Sequence, residues 1–131
     1  MMKKLPIGIQ TFEELIEENY IYVDKTHYIH DLITTGKYYF LARPRRFGKS
    51  LLISTFEAIF SGRKELFNDC AISTLEYDWK KYRIIKIVFA DIRGSTAQEL
   101  TFEIKLYLED IARAYGVTLN SSGSIPPNLP F

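Results

Sequence analysis

The tripeptide Gly48-Lys49-Ser50 stands at the junction between an apolar run, Tyr38-Tyr39-Phe40-Leu41-Ala42, and a helix-like run over 51–60. That placement constrains the fold more than any other feature of the chain. A buried strand, a tight loop and a helix whose first amides point outward form the arrangement that holds a phosphate group. The usual pattern asks for Gly at the first position of the loop, and here that position is Arg43. Gly supplies an unusual turn there, and Arg is strained at positive φ. Two outcomes stay open. Either the loop leaves the strand along a path that suits Arg43, or it holds phosphate weakly or not at all.

The residue types of the loop fit an anion. Successive backbone N–H groups cradle phosphate oxygens, and Gly48 lets the backbone come close. Lys49 reaches β- and γ-phosphates as a point charge, and the Ser50 hydroxyl suits Mg²⁺. The dipole of the following helix adds about 0.3–1 kcal/mol. The guanidinium forks of Arg45 and Arg46 match phosphate oxygens. The candidate phosphate-binding set is Arg45, Arg46, Phe47, Gly48, Lys49, Ser50 and Leu51, with Ser50 also the Mg²⁺ ligand. A chance Gly-Lys-Ser is the bland alternative, and the strand, helix and arginines around it make chance the minority reading.

Around this loop the sequence alternates. Thr11 and Glu14 make a capping box for a short helix over 12–18, and 20–23 reads as a short strand. Asp24 or Thr26 caps a helix that Gly36 stops. Leu51, Leu52, Phe56, Ile59 and Phe60 give the 49–60 helix a broad apolar face. The run 84–90 is apolar almost throughout, as an interior parallel strand is. A long helix follows over 97–115, with Thr96 and Glu99 as capping box, Gly116 as stop and a buried stripe of Leu100, Ile104, Tyr107, Leu108 and Ile111. Residues 117–131 read as an irregular Ser/Pro-rich tail. The β-α-β-α order predicts an α/β fold with a parallel sheet and right-handed crossovers. Two strong strands and one weak one are fewer than a doubly wound domain of about five needs, so 1–116 reads as the opening half of a domain.

Charge and cysteine content narrow the classes. The net charge of +1 provides no global attraction for nucleic acid or anionic lipid. One cysteine, Cys70, excludes an internal disulfide and fits a reducing, cytoplasmic setting. One cysteine and two histidines make no zinc site of the usual kind. No apolar run is long enough for a membrane span, and the first residues lack a signal-peptide core.

Tyr22-Val23-Asp24-Lys25-Thr26, followed by Arg43-Pro44-Arg45-Arg46-Phe47-Gly48-Lys49-Ser50-Leu51, resembles the bacterial AAA-ATPase-like family. Ile7-Gly8 and Trp79 add to the likeness, which runs from about Leu5 to Tyr115. In that family a P-loop ATPase domain often precedes a restriction-endonuclease-like nuclease domain. The resemblance implies a three-layer P-loop NTPase-type parallel sheet with flanking helices, here the N-terminal half. It implies ATP and Mg²⁺ as ligands, and Arg43 becomes a family variant. It also implies that Asp24, Lys25 and Thr26 lie near the nucleotide, although a helix-capping role fits Asp24 or Thr26 better. The family's acidic Asp-Glu strand has no counterpart before Phe131, and Asp91, followed by Arg93 and Gly94, is a poor substitute.

The expected function is therefore an ATP-binding P-loop module with weak or absent hydrolysis. Nucleic acid enters as a partner through the nuclease domain that such proteins carry, and assembly into oligomers is compatible with the family. The alternative is a nucleic-acid-binding module whose arginine loop contacts backbone phosphates; a third reading is a non-catalytic interaction domain. Lesser candidates have bland explanations. His27 and His30 read as ordinary helix histidines, Cys70 as an apolar filler, and Glu13, Glu14, Glu17 and Glu18 as a solvated face. Tyr77, Trp79 and Tyr82 beside Lys80 and Lys81 read as rings that pack a loop rather than stack a base.

Overall fold

The structure is a computed structural model that describes residues 2–119. The chain divides into two compact units, Met1–Ile84 and Ile85–Phe131. Helices account for its regular structure. In the first unit α1 spans Phe12–Glu17, α2 Thr26–Thr35 and α3 Lys49–Phe60, with 3-10 turns at Lys64–Phe67 and Ala71–Thr74. The second unit holds a 3-10 turn at Phe89–Asp91 and α4, Ala97–Ala114.

The expected parallel sheet is absent from the described residues. The one trace of pairing is an isolated parallel bridge between Lys4 and Tyr20, where Ile21 N–H donates to the Lys4 carbonyl at 2.8 Å. Neither 38–42 nor 84–88 forms a strand among the described residues, and Tyr38 and Phe40 are more than nine-tenths exposed. The three-layer α/β expectation is thus corrected to a helical architecture. β-branched and aromatic runs show only that a segment suits a pleated surface. A strand also needs a second segment to meet its N–H and C=O groups, and that partner is non-local.

The core of the first unit forms around Phe12. Its ring stacks on Phe67 at 4.6 Å between centroids and meets Tyr22 edge-on at 5.0 Å. Ile29 of α2, Ile59 of α3, Leu66, Cys70 and Ile72 close around this pair. Leu51, Leu52, Phe56 and Phe60 pack against it from α3, which is the face the apolar spacing specifies. Two hydroxyls inside α3 also serve the packing. Ser54 Oγ accepts the Phe12 N–H at 2.9 Å, which fixes the start of α1 on α3. The Thr55 hydroxyl donates to Leu51 O at 2.7 Å, a bond within the helix that lets a polar group sit buried.

Helix ends follow local chemistry only in part. Thr96 Oγ1 accepts from Glu99 N–H at 3.2 Å, and the Glu99 carboxylate accepts from Ser95 N–H at 2.9 Å, so α4 has its cap. The Ser95 contact holds the Glu99 carboxyl below its usual range. Thr11 makes no such bond at α1; the Phe12 amide is taken by Ser54 instead. The stripe on α4 is half-buried at Ile104, Tyr107, Leu108 and Ile111, with Leu100 39 % exposed and no residue of the helix fully buried. A unit this short has little material to enclose a helix. Tyr107 nevertheless donates its hydroxyl to Lys86 O at 2.8 Å, tying α4 to the extended segment before it. The tail expected over 117–131 lies, from Asn120 onward, outside the described residues.

Candidate functional site

The loop 43–50 leads into α3 with no strand before it among the described residues. Gly48, at φ 77° and ψ 19°, is the N-cap of α3, and Lys49 is the first helical residue. A Cβ on Gly48 would meet nothing within 4 Å, so the backbone angle, not space, calls for Gly. The other left-handed residue of the loop is Arg46, at φ 65°. Arg43 is not among the positive-φ residues. The loop therefore turns later than the usual pattern would, and Arg43 escapes the strain that its replacement of Gly suggests.

Gly48 offers no capping side chain, and among the described residues no side-chain hydrogen bond closes the N-terminus of α3. Its first amides stay available as donors, with the positive end of the helix dipole behind them. Lys49 folds back across the loop and donates from Nζ to the Arg43 carbonyl at 2.8 Å. Arg43, Arg45, Arg46 and Phe47 are exposed, Lys49 is half-buried and Ser50 is exposed at the helix start. The arrangement gathers backbone donors, one ammonium and three guanidiniums into a single turn. Such a group attracts an anion with several oxygens.

Asp24 and Thr26 have work elsewhere. The Asp24 carboxylate accepts from Thr26 N–H at 2.8 Å, the Thr26 hydroxyl at 2.6 Å and Ala71 N–H at 2.6 Å. Thr26 Oγ1, fully buried, accepts from Ile72 N–H at 3.0 Å. The pair thus fastens the start of α2 to the 71–74 turn. Burial raises the Asp24 pKa, but hydrogen bonds from Thr26 and Ala71 outweigh it and leave the carboxyl below its usual range. Neighbouring groups share the low-dielectric pocket. Burial, and then Cys70, push the Tyr22 hydroxyl up to about 12. Burial followed by Asp24 and Asp69 pushes the Cys70 thiol up to about 11.

The remaining candidates take structural roles. His30 Nε2 lies 3.0 Å from Glu76 O, and the His27 ring stands 3.9 Å from that of Tyr28. Trp79 packs on Phe67 at 5.2 Å and on Tyr77 at 5.4 Å, while Tyr82 meets Phe60 at 5.8 Å. Asp91 is exposed at the end of its 3-10 turn. Among the described residues no three His, Cys, Asp or Glu side chains gather as a metal site, and no helix is long and apolar enough to cross a membrane.

One cluster escaped the sequence reading. Arg63 meets Glu13 at 2.6 Å, Glu17 at 3.6 Å and, more closely still, Glu65. Glu13 and Glu17 are spaced to share one side of α1, but nothing in the sequence announces a partner 50 residues on. The cluster borders a cleft of about 260 Å³ lined by Glu13, Ser54, Glu57 and Arg63. A second cleft, of about 200 Å³, lies beside Tyr22, Asp24 and Cys70. Neither contains a residue of 43–50, so the chemistry of the loop is that of an exposed turn.

A family model described as AAA-ATPase-like, predicted AAA-ATPase, matches residues 6–128. The "Uncharacterized protein in vnfD 5'region" of Azotobacter chroococcum mcd 1 is 42% identical over 109 residues. That alignment covers 76% of this chain and 21% of the relative, so the chain spans about a fifth of the relative's length. No solved structure matches.

Proposed function

Because the chain belongs to this predicted AAA-ATPase family, we propose that it is an ATP-binding module whose 43–50 loop holds the phosphates of the nucleotide. The observation that carries the reading is the Gly48–Lys49 junction. A left-handed Gly opens an uncapped helix N-terminus there, and the Lys49 ammonium lies across the loop on the Arg43 carbonyl. A phosphate oxygen is a better acceptor than that carbonyl, because it sets a full negative charge opposite the ammonium where the carbonyl offers only a dipole. Lys49 therefore exchanges one for the other when nucleotide binds. Arg45 and Arg46 offset phosphate charge, the backbone at Phe47, Gly48 and Leu51 lines the turn, and the Ser50 hydroxyl would hold Mg²⁺. The metal, when bound, neutralises charge on the phosphoryl oxygens.

Residues 1–131 hold phosphate, and hydrolysis by them is slow or absent, since Asp91, exposed at the end of its turn and followed by Arg93 and Gly94, is poorly suited to direct the attacking water. A cytoplasmic setting goes with ATP as ligand. Calorimetric titration of ATP-Mg²⁺ into wild type and Lys49→Ala tests the reading. Loss of at least about tenfold in affinity is expected, the cost of one charged hydrogen bond. Equal affinity in the variant, or salt-sensitive binding of a DNA duplex with no ATP binding, would sink it.

A further inference from the structure

From Lys37 to Phe56 the chain carries five basic side chains (Lys37, Arg43, Arg45, Arg46 and Lys49) and no acidic one. The first unit pairs an arginine where it has carboxylates to offer, as Arg63 does with Glu13, Glu17 and Glu65. Arg43, Arg45 and Arg46 are exposed, and among the described residues no carboxylate meets them. Four cationic side chains thus fall within residues 43–49 with no acidic one between them, and each anionic group brought to them offsets part of their charge.

We propose that the loop reads the length of a polyphosphate chain and not the base attached to it. ATP, GTP, CTP and inorganic tripolyphosphate then bind alike, and each phosphoryl group removed weakens binding. This rests on the phosphate-site reading above. Apart from the Ser50 hydroxyl, the loop's side-chain donors are all cationic, and guanidinium forks match phosphate oxygens two at a time. Its one aromatic ring, Phe47, is 60 % exposed, and an aromatic face stacks on every base in the same way. Three guanidiniums and an ammonium facing three ionised phosphoryl groups make charge number the variable that sets affinity.

The test is calorimetry at fixed ionic strength and Mg²⁺ with ATP, GTP, CTP, tripolyphosphate and pyrophosphate. The proteins are wild type, Lys49→Ala, and the double variant Arg45→Ala with Arg46→Gly, in which Gly suits the left-handed backbone of residue 46. Both arginines are exposed, and Trp79 emission checks that each variant is folded. We expect the three nucleotides and tripolyphosphate to agree within about threefold and pyrophosphate to be weaker by about tenfold, one charged contact. The double variant should weaken all four triphosphates by a common factor. ATP or GTP binding more than about tenfold tighter than tripolyphosphate would overturn the inference and leave the phosphate site standing. Unchanged affinities in the double variant, with binding lost in Lys49→Ala, would overturn it too. Absence of binding by every triphosphate would remove the phosphate-site reading itself, and this inference with it.

Discussion

Replacing Thr26 by Val should destabilise the first unit by about 2.5–6 kcal/mol, for reasons that can be apportioned. The hydroxyl has two partners: it donates to Asp24 at 2.6 Å and accepts from Ile72 N–H at 3.0 Å. Val matches Thr in shape, so no cavity opens, and only the polar terms change. The bond to Asp24 is charge-assisted and worth about 1.5–3 kcal/mol. Ile72 is fully buried, so its N–H finds no water, and an unsatisfied buried donor costs about 1–3 kcal/mol. Urea unfolding followed by the single tryptophan, Trp79, reports on this core directly, because its ring packs on Phe67. With a slope of about 1–2 kcal/mol per molar urea, the midpoint should fall by at least about 1 M. Thr26→Ser keeps both hydrogen bonds and loses one methyl, about 0.8 kcal/mol. A Val variant within 0.5 kcal/mol of wild type, or a Ser variant as damaged as Val, would refute the assignment.

Three further outcomes follow from the same geometry. The Asp24 carboxyl sits below its usual pKa when folded, so it adds stability at pH values above the unfolded-state pKa and loses it as pH falls through the lower folded value; Asp24→Asn should flatten that acid limb in urea titrations between neutral and acid pH. Gly48→Ala should cost about 1–2 kcal/mol, measured by the same unfolding assay, from the left-handed backbone at φ 77° and not from a clash. Cys70, 5 % exposed and with its thiol pushed up to about 11, should resist a thiol reagent at pH 8 in the native protein and react fully in urea; rapid native labelling would contradict its burial.

Legibility in the sequence tracked the range of the interaction. The helix that begins at Lys49 and ends at Phe60 matched its expected limits, because a Gly before it and apolar spacing within it are local signals. Thr96 and Glu99 at the start of α4 were readable for the same reason. The runs 38–42 and 84–90 were misread as strands: their composition is local, but the pairing that makes a strand is not. Asp24 and Thr26 lay between these cases. Their place before a helix suggested capping, and the Asp24 bond to Thr26 N–H is of that kind. The bonds to Ala71 and Ile72 reach 47 and 46 residues along the chain, and no spacing rule anticipates them.

The consequence for the loop is that its geometry is secured at a distance from the phosphate chemistry. Gly48 and Lys49 can present amides and an ammonium only if α3 is fixed, since the helix sets the direction of its first N–H groups. α3 is held by Ile59 in the core and by Ser54 on the Phe12 amide, and the Phe12 ring in turn meets Tyr22 edge-on. Tyr22 opens the 22–26 segment that Asp24 and Thr26 fasten to the 71–72 backbone. The likeness between 22–26 and the family pattern therefore has a mechanical reading that needs no contact between Asp24 and a nucleotide. On that reading Thr26→Val lowers the urea midpoint while the folded fraction still binds ATP with near wild-type affinity, whereas a residue that touched the nucleotide would lose affinity even when folded. Calorimetry on the folded Thr26→Val protein separates the two, and a tenfold loss of affinity at full folding would return Asp24 and Thr26 to the binding site.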